Sequence, residues 1–111
     1  MPHNRTTYND GVIIATGNSG PVKAMSQTIG VSIAVTATAG TGETMDISIE
    51  WSPDGVNFAA PDGSTDTMTQ FIAGAATASK SFAVIAPYYR VLWTLGGATP
   101  SFTFVATGIA V

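Results

Sequence analysis

Seven acidic residues carry most of the chemistry this 111-residue chain could perform: Asp10, Glu43, Asp46, Glu50, Asp54, Asp62 and Asp66. Asp46 and Glu50 fall on one face of an alternating stretch, two pleats apart, so a general-acid and a general-base carboxylate of the glycosidase kind can be drawn there. Nothing around them marks a cleft, and a solvated strand face accounts for both. Asp54, Asp62 and Asp66 flank two turn-rich loops. Calcium takes ~6–8 oxygens and loop carbonyls could complete such a shell, but the spacing is not that of an EF-hand. Both Asp-Gly pairs sit where a turn requires them. His3 is the single histidine and there is no cysteine, which leaves out a histidine-based triad, a thiol nucleophile and a zinc site built from several His or Cys ligands. The glycines never follow a phosphate-loop pattern. The expectation is a protein that is not an enzyme and holds no cofactor and no metal.

The elements that would position these residues read as strands. Residues 29–37 alternate, with Ile29, Val31, Ile33 and Val35 on one side. Residues 45–51 alternate more cleanly: Met45, Ile47, Ile49 and Trp51 share one face, and Asp46, Ser48 and Glu50 the other. That is the period of a strand with one wet face. Ser52-Pro53-Asp54-Gly55 then turns the chain, with Val56 to Ala59 leading away as the partner strand. Further strands are expected at 11–16, 22–26, 67–72, 79–85, 88–95 and 101–110, separated by turns that include 39–42 and 96–100. No stretch has helical spacing. The fold class expected is all-β: an antiparallel β-sandwich, jelly-roll-like, of seven to nine short strands. Trp51, Phe58, Phe82, Trp93, Phe102 and Phe104 supply most of its core area, with the two tryptophans read as packing between sheets rather than as platforms for a sugar or base.

Residues 1–10 are polar and unpatterned. They read as a flexible N-terminal arm, followed by a single domain over residues 11–111. They also lack the charged-then-apolar order of a signal peptide. Charged residues make up 10% of the chain against a typical ~25%, so its polar surface is mostly hydroxyl and amide. Such a surface is cheap to desolvate, which points to burial by partner subunits. Four cations, Arg5, Lys23, Lys80 and Arg90, do not cluster, and the net charge is −3. No nucleic-acid footprint and no membrane-binding segment follow from that pattern. Of Tyr88 and Tyr89, one faces inward by phase and one outward, and an outward tyrosine beside Arg90 reads as interface.

The segments ISIEWSPDGVNF and APYYRVLWTLGGATPSFTF resemble small virion proteins of tailed bacteriophages. In that group a strand ending in an aromatic leads into S-x-DG-x-x-F or W, and a later A-x-Y-x-R-V strand pairs with a terminal strand. Trp51, Ser52, Asp54, Gly55 and Phe58 match the first block. Ala86, Tyr88 or Tyr89, Arg90, Val91 and Trp93 match the second. A similar plan occurs in discoidin-like carbohydrate-binding jelly rolls, which are longer and carry basic ligand-binding tips; there Trp51, Tyr88 and Asp54 would lie near a ligand. The phage resemblance implies a capsid decoration or cement protein on the outer surface of the head, with a tail, neck or fibre-associated module as the alternative. It implies a homo-oligomer, with a trimer preferred, bound to the major capsid protein, and a location in the virion after assembly in the host cytoplasm. The partner-binding residues expected are Asn4, Arg5, Thr6, Thr7, Tyr8, Asn9 and Asp10 of the arm, with outward Tyr88 and Arg90.

Overall fold

A computed structural model describes residues 5–110. It is all-β and antiparallel, and no helix occurs among these residues. The strands are β1 (Arg5–Ile13), β2 (Gly17–Asn18), β3 (Val22–Lys23), β4 (Thr28–Ser52), β5 (Asp66–Thr67), β6 (Ala76–Ala83) and β7 (Tyr88–Ala110). Their number agrees with expectation, but two are far from short: β4 has 25 residues and β7 has 23. Each joins two stretches that the sequence presents as separate strands. The turns expected at 39–42 and 96–100 are bends inside one continuous ribbon, in which β4 and β7 pair from Ile29↔Ala110 to Ser52↔Tyr88.

A straight two-stranded ribbon would leave its apolar face in water, and this one doubles back. Trp93 and Phe104 both lie on β7, and a straight strand at ~3.3 Å per residue would hold them about 36 Å apart. Their rings meet edge to face, with centroids 5.7 Å apart. Two facing layers result. The first contains β1, the C-terminal half of β7, the N-terminal half of β4, and β6. The second contains β2 and β3, the N-terminal half of β7, the C-terminal half of β4, and β5. The molecule is 20 Å along its shortest axis, as two sheets ~10 Å apart require once outer side chains are added. This layering is compatible with the expected sandwich.

The alternation places the core as read from the sequence. Ile29, Val31, Ile33, Val35, Met45, Ile47, Ile49 and Trp51 of β4 all point between the layers and are almost fully buried. On β7 the inward phase runs through Tyr89, Val91 and Trp93, then shifts to Phe102, Phe104 and Ala106 after the bend. Irregular register between Val35 and Thr44 absorbs the turn of the ribbon. At the bend the two backbones nearly touch. A side chain on Gly40 would stand 2.8 Å from the Thr99 carbonyl oxygen, and one on Gly97 would stand 2.7 Å from that of Gly42. Both glycines also hold positive φ, 120° and 101°, which side chains resist.

The expected flexible arm is corrected over the residues described. Arg5 to Asp10 belong to β1, which pairs with β7 from Arg5↔Ile109 to Ile13↔Phe102. Asn4 lies outside the described residues. One ring explains the docking. Tyr8 is buried between the layers, and its hydroxyl shares a 2.7 Å hydrogen bond with that of Tyr89. A polar segment can join a sheet through its backbone alone, and a single aromatic then fixes its position. Gly108 makes the room: a methyl group there would overlap the Tyr8 hydroxyl.

Two substitutions test this packing. Gly97→Ala should cost about 2–4 kcal/mol in urea denaturation, combining unfavourable φ with overpacking. Gly108→Ala should cost about 1–3 kcal/mol. In a Tyr8→Ala background the same Gly108→Ala change should be nearly neutral, because the ring it collides with is gone.

A charge-poor sheet face and its two edges

The two outer faces of the molecule differ in chemistry. On the second layer Asp46, Ser48 and Glu50 of β4 stand beside Arg90, Leu92 and Thr94 of β7. Glu50 and Arg90 are direct cross-strand neighbours, and the guanidinium donates from Nε at 2.9 Å and from Nη2 at 2.6 Å to Glu50 Oε1. Phe58, expected in the core, is only half-buried on this outer side, with the Arg90 guanidinium 4.6 Å from its ring centre. Asp46 is exposed and accepts a bond from Gln70 Nε2 at 3.0 Å. The paired carboxylates of β4 are therefore a solvated strand face, each with its own partner.

The outer face of the first layer is different. β7 contributes Thr103, Val105, Thr107 and Ile109; β4 contributes Gly30, Ser32, Ala34 and Thr36; β6 contributes Thr77, Ser79 and Ser81. None is charged. Ser32 and Ser79 pair their hydroxyls across the strands at 2.7 Å. A shallow depression of about 310 Å³ opens between them, Lys80 and Ile109. Among the described residues the outward-phase charges of this layer, Arg5 and Asp10, lie on β1 at the rim of the face, and Lys80 borders the depression from β6.

The edges of this layer are β1 and β6. On β6, Lys80 shares the inward phase of Phe82 but reaches out of the gap, donating to the Thr67 carbonyl at 2.7 Å. Its ammonium lies 5.3 Å from the centre of the Phe82 ring. An inward lysine guards an edge strand, because a second strand pairing there would bury the charge. β1 has no such guard. It carries a bulge between Thr7 and Asn9, where Asn9 Nδ2 donates to the carbonyls of Gly11 and Phe104 at 3.2 and 3.0 Å.

Of the expected partner-binding residues, Arg5, Thr7 and Asp10 face outward on β1, while Tyr8 is buried. Thr6 and Asn9 are half-buried on the inner side. Tyr88 and Arg90 sit on the opposite outer face, in the second layer, so the structure does not bring the two groups together. Tyr88 is half-buried; a side chain on Gly55 would stand 3.4 Å from its ring. Neither tryptophan is offered to a ligand: both are 5% exposed, and the Trp51 indole N–H donates to Asp66 Oδ2 at 2.8 Å. The uncharged face and the guarded edge were missed from sequence because both depend on which strands become neighbours.

No three acidic or histidine side chains converge among the described residues. Asp54 serves its own loop. Its Oδ1 accepts from the backbone N–H groups of Val56 and Asn57 at 2.9 Å, and Oδ2 accepts from the Asn57 side chain at 2.7 Å. These bonds, with one from the Ser52 hydroxyl, hold its carboxyl well below the usual carboxylate range. Ser52 is fully buried and accepts in turn from the N–H groups of Asp54 and Gly55. The expected partner strand after the turn reduces to one bridge, Trp51↔Ala59. No protein-family model matches this chain, and no curated protein matches it.

The Tyr8–Tyr89 pair gives a pH dependence. Burial raises both phenols above the ordinary tyrosine range, so the folded state favours their neutral forms. That stabilisation is complete below the unfolded value of ~10 and is lost as pH climbs above it. Melting temperature should therefore fall on alkaline titration above pH ~10, and fall less in a Tyr8→Phe/Tyr89→Phe variant.

Proposed function

We propose that this chain is a non-enzymatic structural protein of a tailed-phage virion, a decoration or cement protein that coats the outer surface of the head and stabilises the shell. The observation that carries the reading is the outer face of the first layer. Across β7, β4 and β6 it presents threonine, serine, alanine, valine, isoleucine and glycine with no charge. Such a surface loses little when water is removed, since hydroxyls re-pair readily and methyl groups gain from burial. A broad, uncharged sheet face with a shallow, open depression suits adhesion to a protein surface rather than enclosure of a small molecule. The resemblance of the two sequence blocks to small virion proteins supports the same class.

The mechanism is passive. Copies of the chain bind the major capsid protein, bury this face, and add contacts that resist outward pressure from packaged DNA. The protein is made in the host cytoplasm and resides in the virion. Arg90 and Tyr88 remain on the far side, and the Glu50–Arg90 pair keeps that outer surface hydrated.

Particles produced from the genome that encodes this chain would be separated into heads and tails and probed with an antibody. The expected result is labelling of heads in many copies. Recovery with tails, or with neither fraction, would overturn the assignment. Ser32→Lys, at an exposed position on the face, should lower the melting temperature only slightly, through loss of the exposed Ser32–Ser79 hydroxyl pair, and weaken retention on heads at least tenfold, since it buries an unpaired charge.

A further inference from the structure

We infer that the free edge of β1 is a self-complementary pairing site for a second copy of this chain, joining two first layers into one continuous sheet about a two-fold axis at Thr7. This inference goes beyond the head-decoration reading and stands without it.

Two charges at the rim of this face set the register. Arg5 and Asp10 are separated by an odd number of positions, so a regular strand would send them to opposite faces. The bulge between Thr7 and Asn9 adds one residue and returns Asp10 to the face of Arg5. Their partners on β7, Ile109 and Val105, confirm the shared outer face. Among the described residues neither charge has an ion-pair partner within the chain. Now let a second β1 approach antiparallel with Thr7 opposite Thr7. Counting outward, Thr6 meets the doubled Tyr8–Asn9 position, and Arg5 meets Asp10. The symmetry repeats that pair on the other side of the axis, giving two opposite-charge cross-strand pairs and a central threonine pair, each of a type that stabilises neighbouring strands. Any register that set Arg5 against Arg5 would place like charges together.

The other edge argues for the same partner. β6 cannot accept a strand without enclosing the Lys80 ammonium, so head-to-tail growth through β1 and β6 is disfavoured. Pairing of β1 with β1 consumes the edge that lacks an inward lysine in both copies, matches bulge to bulge, and closes at two. The two outer faces then form one surface of twice the width, with the two Arg5–Asp10 pairs along its seam.

Sedimentation equilibrium of the purified chain, without any particle component, tests this. The wild type should be a dimer whose dissociation constant rises with salt, because the pairs are exposed and screened. Arg5→Asp and Asp10→Arg should each weaken dimerisation about tenfold to a hundredfold, by replacing two attractions with two repulsions. The double variant Arg5→Asp/Asp10→Arg should restore wild-type affinity. Circular dichroism should show all three folded, since both side chains are exposed. A wild-type monomer, a trimer, or a dimer indifferent to the single reversals would overturn the inference. Because no virion component is present, a failure here leaves the head-binding experiment to be judged separately.

Discussion

The structure depends on a backbone crossing at Gly40 and Gly97. There the ribbon of β4 and β7 bends so sharply that carbonyl oxygens occupy the space a side chain would need. The bend is driven by burial. Each half of the ribbon carries a row of inward aliphatic and aromatic residues, and only folding one half onto the other hides both rows. The gain in apolar burial exceeds the local strain, part of which is visible at Thr99, a β-branched residue held at φ 47°. Trp93 on Phe104, and Tyr8 on Tyr89, are the contacts across which the halves close.

The same bend sorts the surface. It puts the charged pleats of residues 46–50 and 90 on one outer face and the hydroxyl and methyl pleats of residues 30–36 and 103–109 on the other. It also decides which strands become edges. Lys80 closes one side of the first layer by reaching Thr67 of the second. β1 is bound by backbone pairing and one buried tyrosine, and among the described residues no strand pairs with its other side. The charge-poor composition noted in the sequence is therefore concentrated on one face, and the functional proposal rests on that concentration.

Alternation made the β4 and β7 core legible without coordinates. Ile29 through Val35, Met45 through Trp51, and Val91 and Trp93 are buried as their phase requires. The Ser52–Asp54–Gly55 turn was equally readable, because its hydrogen bonds are local. What could not be read was long-range. Glycine-rich segments at 39–42 and 96–100 look like turns, and only their mutual pairing makes them a bend. A lone tyrosine among polar residues gives no periodic signal, so residues 1–10 read as an arm, although Gly108 leaves room for the Tyr8 ring. Phe58 reads as core by its type, yet the single Trp51↔Ala59 bridge leaves it on the outer side beneath Arg90.

The doubling back of the ribbon is the central claim, since the core, the uncharged face and the open edge all follow from it. Aromatic nuclear Overhauser contacts in isotopically labelled protein test it most directly. Cross-peaks between the Trp93 indole and the Phe104 ring, together with cross-peaks between the Tyr8 and Tyr89 rings, are the result this structure requires. Intact β4–β7 strand contacts without either ring pair would describe a straight ribbon and contradict the account.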